Sequence, residues 1–113
     1  GSIPPEFNAL TELQEFDVSN NRLTSTLPTE LGQWNRLRTF KAKNNGLVGS
    51  LPTEVGQLSA LRFIDISLNS LDGTIPTEMG RLSSLQAIDL MGNSLNGTLP
   101  SELGQISSLL FLN

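Results

Sequence analysis

One spacing runs through the chain without a break. Pro4, Pro28, Pro52, Pro76 and Pro100 stand 24 residues apart, and so do Leu13, Leu37, Leu61, Leu85 and Leu109. Asn21, Asn45, Asn69 and Asn93 keep the same step. So do the glycines at 32, 56, 80 and 104 and the glutamates at 6, 30, 54, 78 and 102. A fixed period of this length marks a repeat architecture, in which one unit cannot bury its own apolar edge. Stacking seals that edge, and each unit then contacts only its neighbours. Inward positions are committed to packing, so function belongs to outward ones.

Residues 61–82 show how a unit is expected to fold. Leu61, Ile64 and Ile66, separated by polar or variable residues, read as a short strand. Stacked units place such strands in parallel, about 4.8 Å apart. Phe63, Asp65 and Ser67 are then expected to face out of the sheet. Asn69 turns the chain out of the strand, where a short amide is expected to bond backbone groups bared by the turn. Stacked, Asn21, Asn45, Asn69 and Asn93 are expected to form a structural ladder. Gly73 supplies a permissive backbone, and Ile75 packs inward. Pro76 suits the first position of a short 3₁₀ turn, and Glu78 suits the positive end of its dipole. Met79 is expected to plug the core and Gly80 to stop the turn.

The unit reads L-x-x-L-x-L-x-x-N-x-L-x-G-x-[IL]-P-x-E-x-G-x-L. It resembles the leucine-rich repeat family, whose units run about 20 to 29 residues. "LDGTIP" (71–76) and "LNGTLP" (95–100) resemble the plant-specific class of that family. The resemblance implies an α/β-type solenoid, a right-handed superhelix with parallel β-strands on the concave side and short 3₁₀ turns on the convex side. It covers residues 1–113 as a single array of about 4.5 repeats. Ser25 replaces a glycine, Ala42 is small for its column, and Lys43 stands where Ser19 and Ser67 stand. The chain begins inside one unit and stops at Asn113 inside the next strand, with no polar cap of the kind solenoid ends need. A slice of a longer array is therefore expected, with flanking repeats or another chain at its ends.

Composition narrows the functions. The net charge of −4 is mild, and no basic stripe suggests nucleic acid. No run of about 18 apolar residues is present, so direct membrane insertion by this segment is not expected. The absence of cysteine removes disulfides, thiolate chemistry and cysteine-based zinc sites. With no histidine, cysteine or tyrosine, most general bases and nucleophiles are missing. Asp65 and Asp89 fall on adjacent strands at a spacing a retaining glycosidase uses, but an open sheet offers no water-excluding pocket. No enzyme activity, cofactor or metal is expected.

Two features stand out on the outward columns. The second unit is basic (Arg36, Arg38, Lys41, Lys43) and the first acidic (Glu12, Glu15, Asp17). These charges either pair across strands, at about 0.2–1 kcal/mol each, or read a ligand. Phe63, Leu68, Met91 and Phe111 form an outward apolar group, either a contact site or side chains packed on arginine stems and a cut end. Family resemblance implies an extracellular or membrane-anchored ectodomain that binds a protein or peptide on its concave face. Arg38, Lys41, Lys43, Phe63, Asp65, Leu68, Asp89 and Met91 are the candidate contacts. The alternative is a structural or scaffold subunit of a larger intracellular or organellar assembly, docking through its sides or ends. Asn96-Gly97-Thr98 is a glycosylation sequon if the chain is secreted.

Overall fold

The computed structural model describes residues 11–106 and the backbone of 111 and 112. It is a solenoid of stacked coils. Strands β1 (Glu15–Asp17), β2 (Thr39–Lys41), β4 (Phe63–Asp65), β6 (Ala87–Asp89) and β7 (Phe111–Leu112) form one parallel sheet in that order. The repeat sets the register: Asp17 pairs with Lys41, Lys41 with Asp65, and Asp65 with Asp89. Opposite the sheet, 3₁₀ turns at Thr29–Gln33, Thr53–Gln57, Thr77–Arg81 and Ser101–Gln105 stack on one another. Strands β3 (Val48–Gly49) and β5 (Ser70–Leu71) make a second, two-stranded parallel sheet on the way from strand to turn. Its partners lie 22 residues apart, so this ribbon slips two residues against the main sheet. The expectation for the Phe111 side chain lies outside the described residues.

Leucine and isoleucine fill the core between sheet and turns. Leu61, Ile66, Leu71, Met79, Leu82, Leu85 and Ile88 are fully buried. The first units use rings instead. Phe16 lies 5.0 Å from Trp34 and 5.4 Å from Phe40, centroid to centroid. Trp34 occupies the column that Leu58, Leu82 and Ile106 hold later, so one wider residue fills the same slot. Ile75 is half-buried at the rim of this core.

Asn45, Asn69 and Asn93 of the 24-residue column each close their own turn and reach back into the preceding unit. The Asn69 Nδ2 donates to the Ile66 carbonyl (3.0 Å) and to the Ala42 carbonyl (2.9 Å). Its Oδ1 accepts the Leu47 N–H at 3.1 Å. Asn45 and Asn93 repeat the pattern, with Leu23 and Leu71 donating at 3.1 and 3.0 Å. Asn21 bonds the Val18 and Ser19 carbonyls of its own turn. The contacts of this column run from amide to backbone.

Three local expectations are corrected. Pro76 is the extended residue before the 3₁₀ turn (φ −66°, ψ 141°), and Thr77 is its first member. Pro76 thus fixes the approach to the turn, while the Pro76 carbonyl accepts the first turn bond, from Met79 N–H at 3.1 Å. Gly80 lies inside the turn and does not end it; Leu82 caps it. A Cβ on Gly80 would stand 2.7 Å from the Glu102 carbonyl oxygen, so the glycine serves close approach of successive turns. Ser67, expected outward, is buried, with its hydroxyl turned onto Asp65 Oδ1 at 2.6 Å.

Candidate functional site

Five large apolar side chains are exposed among the described residues: Val48, Phe63, Leu68, Met91 and Leu99. Phe63, Leu68 and Met91 follow one another across the sheet face and its C-terminal edge. Phe63 is fixed by β4, whose N–H donates to the Arg38 carbonyl at 3.0 Å. Buried Ile64 on the same strand leaves the ring no inward choice, and 43 % of Phe63 stays exposed. A shallow concavity of about 420 Å³ surrounds it, lined by Thr39, Lys41, Phe63, Asp65, Ala87 and Asp89 among others.

Leu68 has a different origin. Its column holds Asn20, Asn44, Leu68 and Gly92, and all four backbones are left-handed, with φ between 57° and 72°. Asparagine and glycine tolerate that region; for leucine it costs roughly 1–2 kcal/mol. The side chain is 48 % exposed as well. It lies over Gly92, where an added Cβ would come within 2.7 Å of Leu68 Cδ2. Met91, 55 % exposed, is next to Gly92. A strained backbone holding an apolar side chain in solvent is a feature found at recognition surfaces.

Charge runs between these apolar groups. Asp17, Lys41, Asp65 and Asp89 form one row across four strands. Each aspartate uses Oδ1 to close the turn that follows it. Asp17 accepts the Ser19 N–H at 3.0 Å, Asp65 the Ser67 N–H at 3.1 Å, and Asp89 the Met91 N–H at 3.1 Å. The Ser19 N–H, then the Ser19 hydroxyl, hold the Asp17 carboxyl below its ordinary range; burial opposes them, and Lys41 adds a lesser lowering. Among the described residues the ion pair formed is Arg36 with Glu12, at 2.7 Å and largely exposed. This is one of the cross-unit pairings open to the two charged units, and at such exposure it contributes little.

The structure brings Lys41, Phe63, Asp65 and Asp89 together around one concavity and places Leu68 and Met91 beside it. Arg38 and Lys43 are exposed and lie outside its lining. The Lys43 N–H donates to the Ser19 hydroxyl at 3.2 Å. Sequence columns do not reveal the left-handed backbone at Leu68, although its partners Asn20, Asn44 and Gly92 carry the signal. A second hollow, about 520 Å³, is lined by Ile75, Leu90, Leu95 and Leu99 among others. No three His, Cys, Asp or Glu side chains among the described residues stand together in a way that could hold a metal ion. No helix among the described residues is long and apolar enough to cross a membrane.

Parallel strands in 24-residue register, 3₁₀ turns behind them and an asparagine bridge at every step define a stacked-coil solenoid. The chain belongs to the leucine-rich repeat family, whose model, Leucine Rich Repeat, matches residues 12–34, 60–82 and 84–106. Solved structures from plants and from a bacterium are similar to it. The plant peptide hormone receptor RGFR1, solved in complex with RGF2, superposes with a TM-score of 0.94 at 32 % identity, over 100 % of this chain and 19 % of the receptor chain. The Arabidopsis receptor kinase HAESA, solved with the peptide hormone IDA and the co-receptor SERK1, gives 0.96 at 33 % identity, over 100 % and 19 %. A leucine-rich repeat protein of Leptospira interrogans gives 0.89 at 33 % identity, over 98 % and 27 %. The chain therefore spans about a fifth of the two receptor chains. No curated protein matches it in sequence.

Proposed function

We propose that this array is a non-catalytic recognition segment that binds a protein or peptide across its concave sheet. The contact residues are Phe63, Asp65, Asp89, Leu68 and Met91, with Lys41 at the rim of the concavity and Arg38 and Lys43 beyond it. The observation that carries the reading is the exposure of Phe63, Leu68 and Met91 on one side of a sheet whose other outward side chains, among the described residues, are polar or small. Rigidity lowers the ordering cost of binding. Apolar anchors set among charged groups are the composition of binding hot spots. Similarity to receptors solved with peptide hormones supports a peptide or protein partner and an extracellular, membrane-anchored setting.

The test is selection of displayed random peptides on the folded chain, followed by titration of the winners. Phe63→Ala combined with Met91→Ala, with circular dichroism unchanged, is expected to weaken them at least about tenfold. Equal affinity for wild type and the double variant would remove the concave face from consideration. The setting has its own test. Asn96 is exposed, and its sequon runs through a left-handed Gly97. Expression through a secretory pathway should add one glycan there, lost in Thr98→Ala; an unmodified Asn96 would count against this site.

A further inference from the structure

We infer that the concave face selects a segment carrying a cationic side chain two positions from an aliphatic or aromatic one, the cation seated between Asp65 and Asp89. This rests on the concave-face reading above and adds the chemistry of the partner. The row Asp17, Lys41, Asp65, Asp89 steps across four strands at about 4.8 Å per strand. The first three charges alternate, so Lys41 sits between two carboxylates. Asp89 breaks the alternation and puts a second carboxylate directly beside Asp65. Like charges in register on neighbouring strands oppose each other, and the surplus of the row is negative at this end.

The pair is built to receive a cation. Both aspartates are half-buried, and both are fixed through Oδ1 by the turn that follows, from Ser67 and Met91. Their Oδ2 atoms carry no hydrogen bond among the described residues, and neither aspartate has a lysine or arginine within ion-pair distance there. Charge-assisted bonds from a guanidinium or ammonium would use both free oxygens. Apolar surface flanks the pair. Phe63 and Ala87 precede the aspartates by two residues on the same strands, and exposed Leu68 and Met91 follow. Two residues of strand span about 6.6 Å, which is also the distance between side chains i and i+2 of an extended segment. In a segment lying along β4, a basic residue over the aspartates therefore places the residue two positions away over Phe63.

The probe is a displayed library of random dodecapeptides, selected on the folded chain at physiological salt. Enriched peptides should hold Arg or Lys two positions from an aliphatic or aromatic residue. Their affinity should fall at least about tenfold for Asp89→Asn. That variant keeps an Oδ1 to accept the Met91 N–H, so its fold is preserved, and circular dichroism verifies this. Asp72→Asn removes the same charge from an exposed site off the row and should leave affinity unchanged. Enrichment of acidic or uncharged peptides, or equal affinity for Asp89→Asn, would overturn the inference. An equal loss in Asp72→Asn would reduce it to an effect of net charge and overturn it too. Peptides lost by Phe63→Ala with Met91→Ala but not by Asp89→Asn would overturn the cation pocket while leaving concave-face recognition standing. Peptides sensitive to neither, or no enrichment at all, would remove both.

Discussion

The Asn69 side chain holds the Leu47 backbone N–H at 3.1 Å, across 22 residues of sequence, in a site only 9 % exposed. The same amide donates to Ala42 in the preceding unit and to Ile66 in its own. One residue thus closes a turn and clamps two coils. Replacing it leaves buried backbone groups without partners, which costs roughly 1–3 kcal/mol. Asn69→Ala should lower the unfolding free energy by that amount, read as a lower denaturant midpoint at an unchanged slope. A midpoint within error of wild type would show that the bridge contributes nothing.

Leu68 should behave in the opposite sense. Its left-handed backbone is strained, while the neighbours of its column are asparagine or glycine. Leu68→Asn removes the mismatch and an exposed apolar side chain together. The variant is expected to be more stable by about 0.5–1 kcal/mol and weaker in binding selected peptides. Thermal unfolding and titration measure the two effects separately. A loss of stability would mean that the contact over Gly92 outweighs the strain.

How much of this was legible in the sequence can be judged from particular residues. The 24-residue step placed the strands of the main sheet and the turns behind them, because stacking requires identical geometry at each unit. Met79 and Leu82 announced the core in the same way. Gly80 was misread as a turn end, because a glycine column marks either a left-handed φ or a close approach, and only the distance to Glu102 tells them apart. Ser67 was misread as outward, because the Asp65 carboxylate two residues away offers its hydroxyl a partner that strand alternation ignores. The β3–β5 ribbon went unseen, since two-residue strands leave no alternation to read. Of the candidate contacts, Phe63, Leu68 and Met91 stood out as apolar residues in outward columns. The concavity itself depends on which neighbours are small, such as Ala87.

Asp17 gives a dependence on pH. Its folded carboxyl is held below the unfolded value, which lies near 3.9. The stabilisation is therefore present above the unfolded value and is lost as pH falls through the lower folded one. The Ser19 backbone N–H is the largest cause, then the Ser19 hydroxyl, with Lys41 the least of those that lower it. Ser19→Ala should move the carboxyl titration seen by NMR upward but not all the way, and Lys41→Met should move it less. A larger shift from Lys41→Met would reverse the assignment.

Amide chemical-shift mapping with a selected peptide tests recognition by the sheet most directly. The account predicts perturbations concentrated at residues 62–68 and 86–92, with the 3₁₀ turns at Thr53–Gln57 and Thr77–Arg81 unmoved. Perturbations centred on those turns, with the strands silent, would contradict it.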